Sequence, residues 1–261
     1  MTSAISLKNV RVSVGHKTLI DQINLEIPAG KITTIIGPNG CGKSTTLKAI
    51  CRMMPFAAGT ITVLGKDVEA YTFKEFARRV AILTQSPLSP ADLTVRDLVA
   101  MGRFPYRGLL GGSSKEDDAC IAWALQETAL ENLSIRLLST LSGGERQRAW
   151  IAMALAQKPE VLLLDEPTTY LDICHQLEVL KLLQKLNAEL HLTVVLVLHD
   201  LNQALMFSDY VAVIKKGRLV TAGDPKEIIK AELLHSVFNV KADTFTCTNG
   251  LQALVPMDLY E

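Results

Sequence analysis

The chain has 261 residues, 48% of them hydrophobic, and its 27 Lys and Arg are balanced by 27 Asp and Glu. That length suits one large α/β domain carrying an insertion, and the apolar share is enough for a sizeable core. A formal net charge of zero leaves no global field to draw the chain onto nucleic acid or anionic lipid, so no nucleic-acid partner is expected.

No stretch nears the roughly 18 uninterrupted apolar residues of a membrane span, and residues 1–9 lack the basic start and apolar run of a secretion signal. The expectation is a soluble, cytosolic chain. Cys41, Cys51, Cys120, Cys174 and Cys247 are scattered without a C-x-x-C pair, which argues against a disulfide framework and a zinc site.

Residues 7–14 alternate apolar and polar side chains, and Ile23, Leu25 and Ile27 repeat the pattern, so the chain opens with a β-rich stretch. A compact β-branched run at 32–36 stops at Gly37, and a helical pattern follows over 45–53. Further strands are predicted at 61–64, 80–83, 161–164, 194–198 and 211–214. The last four are almost wholly apolar, as parallel strands covered on both faces should be. Between about 86 and 160 strand signals give way to helices at 95–102, 115–129, with Ser114 and Asp117 as an N-terminal cap pair, and 145–157. That block is a candidate helical subdomain inserted into a single domain spanning 1–261. Residues 103–114, with Pro105 and several glycines, form a loop within it, and from about 222 the chain continues as a short C-terminal extension with at most one further strand in its last twenty residues.

The stretch Gly37-Pro38-Asn39-Gly40-Cys41-Gly42-Lys43-Ser44, followed by Thr45, matches G-x-x-x-x-G-K-[ST] between a strand and a helix. Glycines let the backbone turn several N–H groups inward onto phosphate oxygens, and the positive end of the helix dipole adds to the attraction. Lys43 is placed to reach the β- and γ-phosphates of ATP and Ser44 to ligate Mg²⁺. Residues 161–164 are an apolar strand ending in Asp165 and Glu166, where a second Mg²⁺ ligand belongs in an open α/β sheet. Asp165 takes that role. Glu166 points to the other side of the strand end and can polarise a water in line with the γ-phosphate. Cys41, near a helix N-terminus, is expected to have a lowered pKa and to be alkylated unless ATP protects it.

At Leu141-Ser142-Gly143-Gly144-Glu145-Arg146-Gln147-Arg148 the sequence resembles the signature motif of the ABC ATPase superfamily, and the resemblance extends over essentially the whole chain. Physically it is a second anion site, with a hydroxyl, backbone N–H groups and a helix dipole facing one way. The resemblance implies a P-loop NTPase fold with a mainly parallel core sheet, an N-terminal antiparallel β subdomain and an inserted α-helical subdomain. It also implies a head-to-tail dimer in which Ser142, Gly143 and Gly144 face the γ-phosphate held by Lys43 of a second copy.

Other positions follow from the same resemblance. Gln85 matches the glutamine that contacts Mg²⁺ and water at the hinge to the helical subdomain, His199 the switch histidine that contacts the γ-phosphate and Glu166, and Asp172 the loop residue that faces the partner copy. Tyr170, just before it, reads as a packing residue. Where many members stack an aromatic ring on adenine this chain has Val14, followed by Gly15-His16, so an apolar contact or His16 must hold the base.

Residues 93–106, 146–153 and 171–176 look like those of bacterial iron-siderophore importer ATPases, whose relatives take up haem or cobalamin. The resemblance implies a permease dimer as partner, an extracytoplasmic binding protein that delivers cargo, and a place on the cytoplasmic face of the membrane. Residues 95–107 read as the surface that grips the permease. A soluble ABC ATPase of ribosome or DNA-repair type is disfavoured by the single cassette, and a P-loop kinase or GTPase by the signature and His199.

Overall fold

The computed structural model describes residues 2–85, 92–108, 113–248, 250 and 252–260. The start of the predicted helical block, at 86–91, and part of the glycine loop, at 109–112, lie outside the described residues. The chain divides into two compact units, Met1–Ala70 with Thr193–Glu261, and Tyr71–Leu192. The predicted block at about 86–160 falls within the second.

In chain order the elements are β1 (Ser3–Val14), β2 (Lys17–Pro28), β3 (Ile32–Ile36), α1 (Lys43–Ile50), β4 (Ala58–Val63) and β5 (Lys66–Asp67). Then come α2 (Phe73–Arg79), β6 (Val80–Leu83), α3 (Val95–Met101), α4 (Lys115–Glu127), α5 (Gly143–Ala156), β7 (Val161–Asp165) and α6 (Ile173–Leu190). The chain closes with β8 (Thr193–Val197), α7 (Leu201–Phe207), β9 (Tyr210–Lys215), β10 (Arg218–Gly223), the short helices α8 (Pro225–Ile228) and α9 (Ala231–Leu233), β11 (Val240–Thr246) and β12 (Gln252–Leu259).

In the first unit β1 pairs antiparallel with β2 and β4, giving the expected N-terminal β layer. Beside it β3 pairs parallel with both β8 and β9, and β10 adds an antiparallel edge. Every residue of β3 and β8 is buried, which explains why they read as unbroken apolar and β-branched runs. The extension, expected to hold one strand at most, holds the hairpin β11–β12. Asn202 fastens it to α7, donating from Nδ2 to the Leu254 carbonyl at 3.1 Å and accepting the Leu254 N–H on Oδ1 at 2.8 Å.

In the second unit β6 pairs parallel with β7, and α3, α4 and α5 pack against one another. Thr94, Ser114 and Ser142 each cap a helix reciprocally with an acid three residues on, so all three helix starts are fixed by local sequence. Arg103 is not part of an exposed docking loop: only 2% exposed, it donates from Nε to Asp117 Oδ1 at 2.8 Å and from Nη1 to the Ala156 carbonyl at 2.8 Å. Its guanidinium also lies 3.8 Å from the centre of the Tyr106 ring. Phe104 remains on the surface.

Candidate functional site

The phosphate loop rests on the first unit's sheet. Gly37 follows β3 so closely beneath β9 that a Cβ there would strike the Ile214 carbonyl oxygen and stand 2.8 Å from Cys41 Sγ. Gly42, at φ 110, caps α1 without any side-chain bond, and the positive end of the helix dipole that starts there suits an anion. Lys43 is 5% exposed, and its Nζ donates to the carbonyls of Gly37 at 2.8 Å and Pro38 at 3.1 Å. An ammonium has three donors, so one remains for phosphate. The outer wall is a hairpin turn: Gly217 N–H donates to the Cys41 carbonyl at 2.9 Å, and Asp21 N–H donates to the Gly217 carbonyl at 2.8 Å. Asp21 also holds Arg11 and Arg218, and these guanidiniums keep its carboxyl below the usual range. Cys41 corrects an expectation, because burial pushes its thiol up and outweighs the pull of Lys43. Pro38 is half-buried and Asn39 and Gly40 are exposed at the mouth.

His199 is exposed just past β8, and Asp200 accepts the N–H groups of Asn202 and Gln203 to cap α7 directly behind it. Val14 and His16 are both exposed, so both side chains remain open to a base.

In the second unit Asp165 closes β7 with its side chain buried. Glu166 follows in the left-handed region at φ 55, a conformation that costs a non-glycine residue of order 1 kcal/mol or more. Its Oε2 accepts from Gln85 Nε2 at 2.5 Å and from Thr169 Oγ1 at 3.1 Å. The structure thus joins Gln85 and Glu166, which are far apart in sequence.

Ser142, exposed, begins α5. Its Oγ accepts the Glu145 N–H at 3.2 Å, and Glu145 Oε2 accepts the Ser142 N–H at 2.8 Å. The cap uses Ser142 Oγ as an acceptor, so its proton can still be donated to a phosphate oxygen. Those same bonds hold the Glu145 carboxyl below its ordinary range. Asp172 caps α6 and is tied to His175. Tyr170 is not a packing residue: at φ 65 its side chain swings outward to 89% exposure. His175 was missed by sequence reasoning, and no periodicity or motif spacing points to its ring.

A glycine loop cradled between a buried parallel strand and an uncapped helix start defines a P-loop nucleoside triphosphatase. The family model for ABC transporters matches residues 20–169. The chain is 46% identical, over 94% of its length and 91% of the relative's, to the iron(3+)-hydroxamate import ATP-binding protein FhuC of Bacillus subtilis (strain 168). An inward-facing ABC transporter structure, assigned to the metal-chelate type, superposes with a TM-score of 0.86 at 28% identity and 98% coverage of both chains. MJ0796, a bacterial ABC transporter cassette solved as a dimer, superposes at 0.74 with 30% identity, covering 85% of this chain and 98% of that one. The chain therefore belongs to the ABC transporter family, as one of its nucleotide-binding, ATP-hydrolysing subunits.

Proposed function

We propose that two copies of this chain close head to tail on ATP and drive import of an iron-siderophore-type complex through a membrane permease dimer, with an extracytoplasmic binding protein supplying the cargo. The observation that carries this reading is that each compact unit bears one helix start built for an anion: α1 behind Gly42, and α5 behind Ser142. A γ-phosphate gripped by Lys43 of one copy and by Ser142, Gly143 and Gly144 of the other makes the nucleotide the adhesive of the pair. The dimeric MJ0796 cassette supports the assembly and FhuC the cargo class.

In the reaction, a water oxygen bonds to the γ-phosphorus as the bond to the bridging oxygen breaks, giving ADP and phosphate, and the water's proton passes to Glu166. Gln85 holds that carboxylate from one side. His199 orients the nucleophile and the γ-phosphate, while Lys43 and the partner's Ser142 spread the developing charge. The Ser44 hydroxyl, the Gln85 carbonyl and the buried Asp165 carboxylate are hard oxygen donors that fit Mg²⁺, which supplies charge neutralisation on the phosphates when bound. Asp172 and the outward Tyr170 face the second copy. Val14, aided by His16, contacts adenine.

Residues from about 86 to 160 serve as the arm that meets the permease, with exposed Phe104 offering an apolar contact. Among the described residues no helix is long and apolar enough to cross a membrane, and residence at the cytoplasmic face follows from the permease. Replacing Glu166 by Gln keeps the fold but removes the base, so Glu166→Gln should run as a stable dimer on size exclusion with ATP and Mg²⁺. A monomer under those conditions refutes the scheme.

A further inference from the structure

The starts of α5 and α6 meet through one imidazole. Asp172 Oδ1 accepts the His175 backbone N–H at 2.9 Å and also lies 2.8 Å from His175 Nδ1, so the ring is held from its own helix cap. That ring lies against Gly144: a Cβ there would stand 2.7 Å from His175 Cγ and 3.0 Å from Nε2. Leu171 is packed likewise on Gly143, 3.3 Å from where a Cβ would lie. One turn further along both helices Arg148 Nη1 donates to Glu178 Oε2 at 2.9 Å, so the two helices are registered at a second point.

Glycine in the first turn of a helix is about 1 kcal/mol worse than alanine, and the capping box of Ser142 and Glu145 does not require one. The imidazole does. We propose that His175 is a positioning residue for ATP hydrolysis: it locks the Asp172 turn to the signature turn, so that Ser142 and the Gly143 and Gly144 amides move with Asp172 as one body when two copies close. The inference rests on the head-to-tail reading above and adds to it the part that sets donor geometry.

The test is a double-mutant cycle of His175→Ala and Gly144→Ala, reading kcat, ADP affinity of the monomer and thermal melting. Misplaced donors of this kind cost about tenfold to a hundredfold in rate, so His175→Ala should lower kcat by that order while ADP affinity, which depends on the P-loop, stays within about twofold. Gly144→Ala should lose as much alone, because its methyl expels the ring, and should lose almost nothing more when added to His175→Ala. Unchanged kcat in His175→Ala overturns the proposal. So does a matching fall in ADP affinity or melting temperature, which would mark His175 as merely structural. An additive loss overturns it as well, because phosphate rather than imidazole would then need the glycine.

Adding His175→Ala to Glu166→Gln separates the two readings. If Glu166→Gln forms the ATP dimer and the double variant needs about tenfold more protein to do so, both stand. If the double variant dimerises equally well, only the role of His175 falls, and if Glu166→Gln never dimerises, the head-to-tail scheme itself falls.

Discussion

Replacing Arg103 by Met isolates what the buried ion pair of the helical block contributes. The pair is closed to water, with Arg103 side-chain exposure 2% and Asp117 5%, and their bond is 2.8 Å long. Removing one partner of a buried pair costs roughly 3–5 kcal/mol, because the remaining charge is left uncompensated. The Ala156 carbonyl also loses its donor, at about 1 kcal/mol. Against these, Met fills the space of the aliphatic stem, and Arg107 Nε, 3.9 Å from Asp117 Oδ2, recovers part of the charge balance. A net loss of about 4 kcal/mol is expected, which for a chain of this size lowers Tm by roughly 8–16 °C.

The pH dependence carries the sign. Arg103 holds the Asp117 carboxyl below its ordinary value, so in the wild type its contribution is present above the unfolded carboxylate pKa and is lost as pH falls through the lowered folded value. In Arg103→Met the carboxylate is buried without that partner, its pKa rises, and acidification from pH 7 to pH 5 should restore part of the variant's lost stability while leaving the wild-type contribution of this pair in place. Converting both residues, Arg103→Met with Asp117→Leu, should return part of the loss. It should remain about 2 kcal/mol short, because Asp117 also accepts the Ser114 N–H in the cap of α4 and the Ala156 carbonyl still lacks its donor. Thermal unfolding followed by circular dichroism near pH 7 and near pH 5 measures all of this. A single variant melting within about 3 °C of the wild type, where each kcal/mol moves Tm by 2–4 °C, would refute the argument.

Two further outcomes concern the phosphate loop. Lys43→Ala removes a charge-assisted donor worth about 1.5–3 kcal/mol, so ATP affinity by isothermal calorimetry should fall at least tenfold, and unchanged affinity would remove Lys43 from the site. Cys41 is buried and its thiol pushed up, whereas Cys174 and Cys247 are exposed. Peptide mapping after brief iodoacetamide treatment near pH 7.5 should find the exposed pair labelled first, and early labelling of Cys41 would contradict the burial argument.

Elements whose information is local were readable from sequence. The fully buried strands announce themselves as apolar runs, and the capping pair Ser114 and Asp117 was legible, whereas the boxes at Thr94 and Ser142 were not read as such. The hairpin β11–β12 was not, because most of its residues are exposed and it has no clean alternation. Contacts between distant polar side chains were equally silent. Nothing in the spacing of Arg103 and Asp117 distinguishes a buried pair from two solvated charges, so the loop read as wholly a docking surface contains an anchor. Tyr170 failed for a backbone reason, since its positive φ is a property of the turn it sits in and not of its own propensity. The resemblance assigned Gln85 only to Mg²⁺ and water, so its bond to Glu166 was not foreseen, and nothing in the chain's pattern implied Gly144 facing His175.

The hairpin turn at Gly217, bonded on one side to Cys41 and on the other to Asp21, bears on how the protein is made. A chain emerging from the ribosome displays the whole phosphate-loop motif well before β9 and the Gly217 turn that wall it have been made. Copies translated past Ser44 but not yet to Gly217 therefore carry the lettering of an ATPase without the cradle that makes it one, and nucleotide capture is deferred until β9 and that turn have emerged.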